Sequence, residues 1–180
     1  MRKTVHKVFW AWDYDKEEEW LNEMAAKGLA LVSTGFCRYE FEECDPNEYG
    51  IQLELLDFKA DSEKGKQYIA FVEETGAEHV GTWLRWVYFR KKLSHGEKFR
   101  LFSDKDSIIA HLKRIISFLL IIGIFNVWVG MYNIIIGIIN GTVNFPLGML
   151  NVILGIFAVA GGLKLKKRKT DIENERMISE

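Results

Sequence analysis

Long apolar blocks in the C-terminal half of the chain contrast with short alternating blocks in the N-terminal half. Residues 115–139 and 145–163 contain no Asp, Glu, Lys or Arg, and the uncharged polar segment 140–144 separates them. Roughly 20 apolar residues span a bilayer as a helix. The pattern therefore predicts a transmembrane helical hairpin. The alternative, a buried core hairpin of a soluble protein, needs more surrounding mass than a chain of 180 residues has.

Basic residues lie just outside both predicted spans. Lys113 and Arg114 precede the first span, and the segment 164–169 after the second span contains five Lys or Arg residues. The loop 141–143 between the spans has no charge. By the positive-inside rule, we expect a multi-pass protein of the cell membrane whose N- and C-termini are both cytoplasmic.

The N-terminal half switches between strand-like and helix-like spacing, which predicts a β-α-β-β unit. Trp20, Leu21, Met24 and Ala25 share one face at helical spacing, and Gly28 is placed to end this helix. Asp15 with Glu18 matches a capping box at the start of the helix. The strands of this unit are predicted at residues 5–12, 29–34 and 36–43.

An ungapped offset of 48 residues aligns the next segment with the first unit. It superimposes Gly28 on Gly76 and the strand residue Phe41 on Phe89, so we predict an internal duplication. The elements of the second unit are predicted at residues 51–58, 62–75, 77–83 and 86–92. The predicted fold class is α+β: duplicated β-α-β-β units form an antiparallel six-strand sheet with two helices on one face, followed by the two-helix transmembrane hairpin.

These patterns divide the chain into four segments. We expect a cytoplasmic tandem β-α-β-β domain, a linker with a juxtamembrane helix, the transmembrane helical hairpin, and a basic cytoplasmic tail with little to fold. Asp104 or Asp106 is placed to cap the juxtamembrane helix. In chain order the four segments are residues 1–93, 94–114, 115–163 and 164–180.

The charge and motif content of the soluble part excludes several classes of function. Residues 1–107 contain 16 Lys and Arg against 21 Asp and Glu, whereas a nucleic-acid-binding surface is rich in Lys and Arg. Cys37 and Cys44 lack zinc-site spacing, and the four histidines lack carboxylate or cysteine partners at ligand spacing. No phosphate loop or nucleophile motif is present. We therefore expect no enzyme activity, metal, cofactor or nucleic acid.

Aromatic residues on equivalent strands form the candidate ligand site. Strand alternation places half of them in the core and leaves the other half exposed, where aromatic surface marks ligand or partner sites. Glu54 lies in an apolar strand, either as an exposed or edge position or as a carboxylate that pairs with a cation in a cleft. The run Glu17–Glu19 is predicted to be a solvated helix face. The candidate ligand-binding residues are Trp10, Trp12, Glu54, Trp83 and Trp86.

Glycines and asparagines recur every seven residues in the two spans. A seven-residue period places them on one seam of a left-handed helix pair, where backbones approach closely and amides hydrogen-bond across. The seam closes the hairpin or joins two molecules, and a polar pore lined by Asn126 and Asn133 is a further alternative. The seam residues are Gly123, Asn126, Gly130, Asn133, Gly137, Gly148, Asn151, Gly155 and Gly162.

Two runs of residues carry a family resemblance. The run 18–28 in the first predicted helix and the run 86–92 in the last predicted strand, together with the hairpin, resemble a bacterial family known as domain of unknown function 2812. Genes of this family commonly lie beside PadR-type transcriptional regulators, which implies a role in membrane-linked signalling. The tandem β-α-β-β order also resembles the GyrI and SOUL effector-binding fold, which implies a cleft for small hydrophobic or cationic molecules.

Two functions from different classes are consistent with these patterns. The first is a membrane-anchored cytoplasmic sensing or interaction module that binds a small hydrophobic or cationic ligand or a partner protein, linked to a PadR-type regulatory system. The second is an accessory structural subunit of a membrane protein complex, assembled through the Gly/Asn seam. The expected partners are the lipid bilayer, another membrane protein or a second copy through the hairpin, and a small-molecule ligand.

Overall fold

The computed structural model describes residues 2–94, 97–102 and 104–179. The chain divides into two units, Met1–Ser103 and Asp104–Glu180. Part of the predicted linker, including His95, lies outside the described residues. The first unit combines strands with short helices, whereas the described part of the second consists of two long helices.

The first unit has the predicted β-α-β-β order twice in succession, and its α+β class is confirmed. A short 3₁₀ helix at Ala11–Asp13 precedes the first α-helix. The elements are β1 Arg2–His6, α1 Tyr14–Ala26, β2 Leu29–Gly35, β3 Arg38–Glu43, β4 Tyr49–Leu55, α2 Glu63–Glu73, β5 Ala77–Trp83 and β6 Trp86–Lys92.

The first strand begins and ends earlier than the sequence pattern predicted. The strand expected at 5–12 is instead β1, Arg2–His6, because its partner β3 begins at Arg38, opposite the last residue of β1. One further backbone hydrogen bond, from Lys7 N to Cys37 O, follows the last paired residue of β1. The apolar residues that follow Lys7 therefore lie beyond the end of the strand pair.

The start of α1 also differs from the prediction. The helix begins before Asp15, which lies in the first turn instead of capping it. Glu18 completes no capping box, since its carboxylate accepts a hydrogen bond from Gln52 Nε2 at 2.6 Å. One turn later, the Asn22 side chain donates to Ile51 O (2.8 Å) and accepts from Ile51 N (2.9 Å). These side chains cover the edge of β4 that pairs with no strand in the described part of the chain.

The described strands form two antiparallel three-stranded sheets, ordered β1-β3-β2 and β4-β6-β5, rather than a single six-strand sheet. β2 and β5 nevertheless lie against each other. A Cβ atom added to Gly81 of β5 would be only 2.5 Å from Thr34 Cγ2 of β2. Each of these two strands has a register shift, at Val32 and at Val80 respectively. Irregularities of this kind bend a strand and increase its local twist.

The irregular positions of the two halves match at the offset of 48 residues. Val32 and Val80 are the positions at which the register shifts. Gly28 and Gly76 follow the two helices with φ angles of +79° and +84°. Because this left-handed conformation favours glycine, both helices end for the same local reason. The same backbone geometry therefore recurs in both halves.

The apolar core of the first unit joins its helices to its sheets. In the second half, Val72 of α2 packs with Val87 and Phe89 of β6. In the first half, Leu21 of α1 and Phe41 of β3 are fully buried. α1 packs against both β2 and β4, so its buried face contacts strands from both halves.

The second unit is a helical hairpin of α3, Lys105–Asn140, and α4, Asn144–Ser179. Asp104 caps α3 and accepts a hydrogen bond from Ser107 N at 2.8 Å. Gly141 ends α3 in the left-handed conformation, with φ of +59°. Both helices are long and apolar enough to cross a membrane, as judged by length and composition.

The C-terminal segment 164–180 is helical where it is described, although the sequence pattern predicted little structure there. α4 continues through this segment to Ser179. Lys169 Nζ lies 3.0 Å from a Glu173 carboxylate oxygen one turn further along α4. Arg176 forms an ion pair with Asp106 of α3. These contacts extend the hairpin beyond the predicted spans.

Candidate functional site

The predicted ligand residues Trp10, Trp12 and Trp83 lie in two separate aromatic pairs. Trp10 stacks on Trp12 with ring centroids 5.0 Å apart and an interplanar angle of 4°. Trp83 packs on Phe36, with centroids 5.4 Å apart. Trp10 and Phe36 are more than half exposed.

The other two predicted ligand residues, Glu54 and Trp86, are buried. Trp86 packs against Tyr14, with ring centroids 6.0 Å apart. Glu54 is only 1% exposed, and its carboxylate accepts a hydrogen bond of 2.5 Å from the Tyr68 hydroxyl. Glu54 therefore lies on the edge strand β4, as one of the two alternatives had it, but its side chain is buried and bonded within the protein. Trp83 and Trp86 lie opposite each other in the β5–β6 pair, whereas Trp10 stacks on Trp12. These contacts do not join the five predicted residues in one site.

A second buried carboxylate, Glu17, accepts hydrogen bonds from two tyrosines that belong to different sheets. Tyr39 of β3 donates to Glu17 Oε1 at 2.7 Å, and Tyr88 of β6 donates to the same oxygen at 2.6 Å. Glu17 is 8% exposed. The prediction that this carboxylate belongs to a solvated helix face is therefore wrong. We call Glu17, Tyr39 and Tyr88 the Glu17 cluster.

Burial sets the protonation chemistry of the Glu17 cluster. Burial raises the pKa of the Glu17 carboxyl above its ordinary value, although the hydrogen bonds from Tyr88 and Tyr39 oppose this shift. Burial and the nearby Glu17 charge raise the pKa values of both tyrosines, so they remain hydrogen-bond donors near neutral pH. Among these three groups, Glu17 is therefore the one that changes charge most easily.

The Tyr39 ring connects the Glu17 cluster to a group of aromatic rings. Trp20 lies 5.5 Å from Phe9 and 5.1 Å from Tyr39, measured between ring centroids. The Phe9 and Tyr39 centroids are 6.4 Å apart. Lys7 Nζ lies 4.5 Å from the Trp20 centroid and 4.8 Å from the Phe9 centroid. We call Lys7 together with these three rings the Lys7 aromatic site.

Sequence reasoning missed both groups, although part of the signal was present. Glu17 precedes Leu21 by four residues, a spacing that places the two on the same face of a helix. That spacing indicated that Glu17 is buried beside Leu21, whereas its place in an acidic run indicated an exposed side chain. Lys7 and Phe9 fell within the predicted first strand, so their contacts with Trp20 were not foreseen.

Arg90 connects the two sheets through hydrogen bonds of its guanidinium group. Its guanidinium donates to Glu42 Oε1 of β3 and to Glu78 Oε2 of β5, each at 2.7 Å. It also donates to Leu31 O of β2 at 3.2 Å. The Arg90 side chain is 14% exposed. Charge-assisted bonds of this kind hold the sheets in register, which is a structural role.

A cleft of about 700 Å³ lies beside the covered edge of β4. Asn22 and Gln52 contribute to its wall, together with Gly50 and Phe99. The amides of Asn22 and Gln52 are already hydrogen-bonded within the protein. Among the described residues that line this cleft, none belongs to the predicted ligand site.

Metal and thiol chemistry have little support in the described part of the chain. Its residues contain no group of three or more His, Cys, Asp or Glu side chains able to hold a metal ion. Cys37 and Cys44 are both free thiols. Burial raises the pKa of the Cys44 thiol, which lowers its reactivity as a nucleophile at neutral pH.

The glycines of the predicted seam lie between the two helices of the same hairpin. A Cβ atom on Gly130 would be 2.7 Å from Gly148 O, and one on Gly155 would be 2.7 Å from Gly123 O. The added carbon would collide with the facing backbone at each of these positions. The close approach of the backbones therefore occurs within one molecule.

The contacts at the ends of the seam and at its asparagines differ from the glycine contacts at its centre. A Cβ atom on Gly137 would be 2.3 Å from Phe145 N, whereas at Gly162 the nearest atom would be 3.3 Å away. The Asn126 and Asn133 amides donate to carbonyls four residues earlier in α3, at 2.9 and 3.0 Å. These bonds lie within α3, although the prediction had the amides bonding across the seam. Asn151 of α4 is half-buried.

The fold and the two sites define a class of protein: an α+β unit with a buried carboxylate bonded to two tyrosines, followed by two helices long and apolar enough to cross a membrane. A family model described as protein of unknown function (DUF2812) matches residues 13–124, more than half of the chain. The chain therefore belongs to the DUF2812 family, as its resemblance predicted. Neither the curated proteins nor the solved structures contain a match to it.

Proposed function

We propose that this protein is a membrane-anchored cytoplasmic sensing or interaction module. Its α+β unit binds a small hydrophobic or cationic ligand or a partner protein, and its helical hairpin holds that unit at the membrane. The observation that carries this proposal is the combination of the buried Glu17 carboxylate with the aromatic rings around Lys7. The proposed ligand site therefore consists of the Glu17 cluster and the Lys7 aromatic site, instead of the five residues predicted from the sequence.

The surface of the hairpin supports the role of membrane anchor. Ile121, Phe125, Trp128 and Ile138 of α3 are each more than 60% exposed. Each Å² of exposed apolar surface costs about 25 cal/mol in water, and a bilayer removes that cost. The basic residues of segment 164–169 favour a multi-pass arrangement with both termini in the cytoplasm.

The electrostatics of the Glu17 cluster support ligand binding. A carboxylate in an apolar interior is unfavourable unless it is neutralised or paired, and perturbed pKa values of this kind are common at functional sites. The aromatic faces beside it attract positive charge. A hydrophobic or cationic molecule is therefore the ligand class that this environment favours.

The regulatory part of the proposal rests on analogy. We propose that the protein acts with a PadR-type regulatory system and that its α+β unit is similar to the GyrI and SOUL effector-binding fold. The internal duplication is also a proposal. The matching register shifts at Val32 and Val80, and the matching glycines after the two helices, support the duplication. In such a system, ligand binding at the α+β unit supplies the signal.

The alternative function, an accessory structural subunit assembled through the Gly/Asn seam, has less support. Gly130 and Gly148 already face each other within the hairpin, as do Gly123 and Gly155. A second membrane protein, a second copy of the chain or a pore would have to use another face of the hairpin. We therefore favour the sensing or interaction module.

A ligand screen of the full chain in dodecyl maltoside micelles tests this proposal. The panel pairs small organic cations with uncharged molecules of the same shape, and the readouts are tryptophan fluorescence and the thermal midpoint of the α+β unit. A ligand at about 100 times its Kd adds about 2.7 kcal/mol to the free energy of unfolding. We expect at least one compound to raise the midpoint.

Two matched variants locate the response. Trp20→Leu removes a ring of the Lys7 aromatic site and is expected to abolish it. Trp10→Leu makes the same change in the exposed Trp10 and Trp12 pair and is expected to preserve it. A panel that raises no midpoint, or a response lost only in Trp10→Leu, contradicts ligand binding at this site.

A further inference from the structure

The ammonium group of Lys7 lies against two aromatic rings at once. Its Nζ is 4.5 Å from the Trp20 centroid and 4.8 Å from the Phe9 centroid, both within the distance of about 6 Å at which a ring attracts a cation. The two rings are tilted by 41° to each other. The chain thus places one of its own cations over two neighbouring aromatic rings.

A third ring and a carboxylate extend this site towards the interior. Tyr39 packs edge-on against Trp20 at an interplanar angle of 74°, and its hydroxyl donates to Glu17 Oε1. The Glu17 carboxylate is buried, so its charge is screened less than that of a surface carboxylate. When Glu17 is ionised, its field adds to the attraction of the rings for a positive group.

The Lys7 side chain is a weakly held occupant of this site. Lys7 is exposed, so its flexible stem can carry the ammonium back into water. A primary ammonium is compact and strongly hydrated. An alkylated ammonium is larger and less hydrated, and aromatic surroundings are the environment in which proteins recognise it.

We infer that the Lys7 aromatic site binds an alkylated ammonium group, and that Lys7 occupies the site until such a group displaces it. This inference rests on the proposed function and names the class of its ligand. The group arrives on a small soluble cation or as the trimethylammonium of a lipid headgroup. Both sources present the same chemistry to Phe9 and Trp20.

A titration with choline tests the inference. The full chain in dodecyl maltoside micelles, which contain no nitrogen, is titrated with choline and with its uncharged isostere, in which a tert-butyl group replaces the trimethylammonium group. Tryptophan emission reports binding, and Trp20→Phe identifies the part of the signal that comes from Trp20. We expect choline to bind at least about tenfold more tightly than the isostere.

Removal of Lys7 tests its role as the occupant. Lys7→Gln is expected to tighten choline binding by about two- to fivefold, because the competing ammonium is gone. Lys3→Gln, the same change on the exposed strand β1, is expected to leave the affinity unchanged. Unchanged or weaker binding in Lys7→Gln overturns the displacement of Lys7.

The two ring variants keep the test independent of folding. Trp20→Leu is expected to abolish choline binding, whereas Trp20→Phe retains a ring and is expected to keep weaker binding. Far-UV circular dichroism and the thermal midpoint report whether each variant is folded. If Trp20→Leu does not fold, the choline affinities of Trp20→Phe and Lys7→Gln still decide the outcome.

Further measurements distinguish a free cation from a lipid headgroup as the source of the alkylated ammonium group. They also distinguish failure of this inference from failure of the proposed function. Phosphatidylcholine added to the micelles lowers the affinity for free choline if the headgroup also binds, and phosphatidylglycerol serves as its control. Equal binding of choline and its isostere overturns the ammonium site but supports the hydrophobic ligand of the proposed function. No choline binding also overturns the ammonium site, and a response to other panel compounds then supports the proposed function alone. No response to any compound contradicts both proposals.

Discussion

Glu17 and Glu54 are two buried carboxylates that each meet a tyrosine hydroxyl, yet their positions differ. Glu54 lies on β4 and meets Tyr68 of α2, within one half of the first unit. Glu17 lies on α1 and meets tyrosines of both sheets. A change at Glu17 therefore alters contacts between the two halves, and its charge matters for the whole α+β unit.

Replacement of Glu17 by glutamine is expected to change the pH dependence of stability. Burial raises the pKa of folded Glu17 above the value of about 4.3 of an unfolded chain, so ionisation is harder in the folded state. Relative to Glu17→Gln, the wild-type free energy of unfolding is therefore highest below this value. It falls as pH rises towards the folded pKa, by about 1.4 kcal/mol for each unit of pKa difference.

Denaturation of the full chain in micelles at about pH 4 and about pH 7 measures this effect. Glu19→Gln removes a carboxylate from the exposed side of the same helix and is the matched control. The measured quantity is the wild-type stability minus that of each variant. A difference for Glu17→Gln that stays constant or grows with pH contradicts the direction of the shift.

At the scale of single elements, the hairpin depends on the glycines that let α3 and α4 approach. A Cβ atom on Gly148 would lie 2.6 Å from Gly130 O and 2.7 Å from Ile134 N. Backbone atoms cannot move as a side chain can, so a larger residue pushes the helices apart. Small residues serve this purpose in membranes because helix packing there relies on close contact rather than on the exclusion of water.

Gly130→Leu is therefore expected to destabilise the closed hairpin by about 1–3 kcal/mol, the usual effect of overpacking. Dyes on Lys105→Cys and Met177→Cys of a variant without Cys37 and Cys44 report closure by energy transfer. These ends are close in the folded hairpin, since Arg176 pairs with Asp106. Closure is measured during titration with sodium dodecyl sulfate.

Ala160→Leu provides the control for the hairpin. Ala160 is an exposed small residue of α4, so the added side chain faces away from α3. We expect its unfolding midpoint to match that of the parent protein. Equal midpoints for Gly130→Leu and Ala160→Leu would show that the glycine contacts are not needed for closure.

At the scale of the whole molecule, the basic residues predict how the chain crosses the membrane. The segment 164–169 and the pair Lys113 and Arg114 favour the cytoplasmic side, and only the loop 141–143 is expected outside. This predicted orientation would place the exposed Lys7 in the cytoplasm, on the side where we expect a soluble ligand or a regulatory partner.

Labelling of single cysteines in intact cells tests this orientation. In a variant without Cys37 and Cys44, Thr142→Cys is expected to react with a membrane-impermeant maleimide from outside. Asn174→Cys, an exposed position near the end of α4, is expected to react only after permeabilisation. Labelling of Asn174→Cys in intact cells, or protection of Thr142→Cys, contradicts the predicted orientation.

Much of the fold was predictable because the signals are local. Helical spacing located α1, and glycines marked the ends of both short helices. The two apolar runs predicted the hairpin. The end of β1 was not predictable, because it depends on where β3 begins more than 30 residues later. The candidate site was missed for the same reason, since its parts come from four separate segments.

The sequence by itself determined the order of the elements, the helix ends at Gly28 and Gly76, and two helices able to cross a membrane. Spacing and backbone conformation act over a few residues, so these features need no distant partner. Only the tertiary structure decided that Glu17 is buried, because its tyrosine partners lie 22 and 71 residues away. It likewise decided that the seam glycines face each other within one hairpin, since identical spacing also suits a contact between molecules.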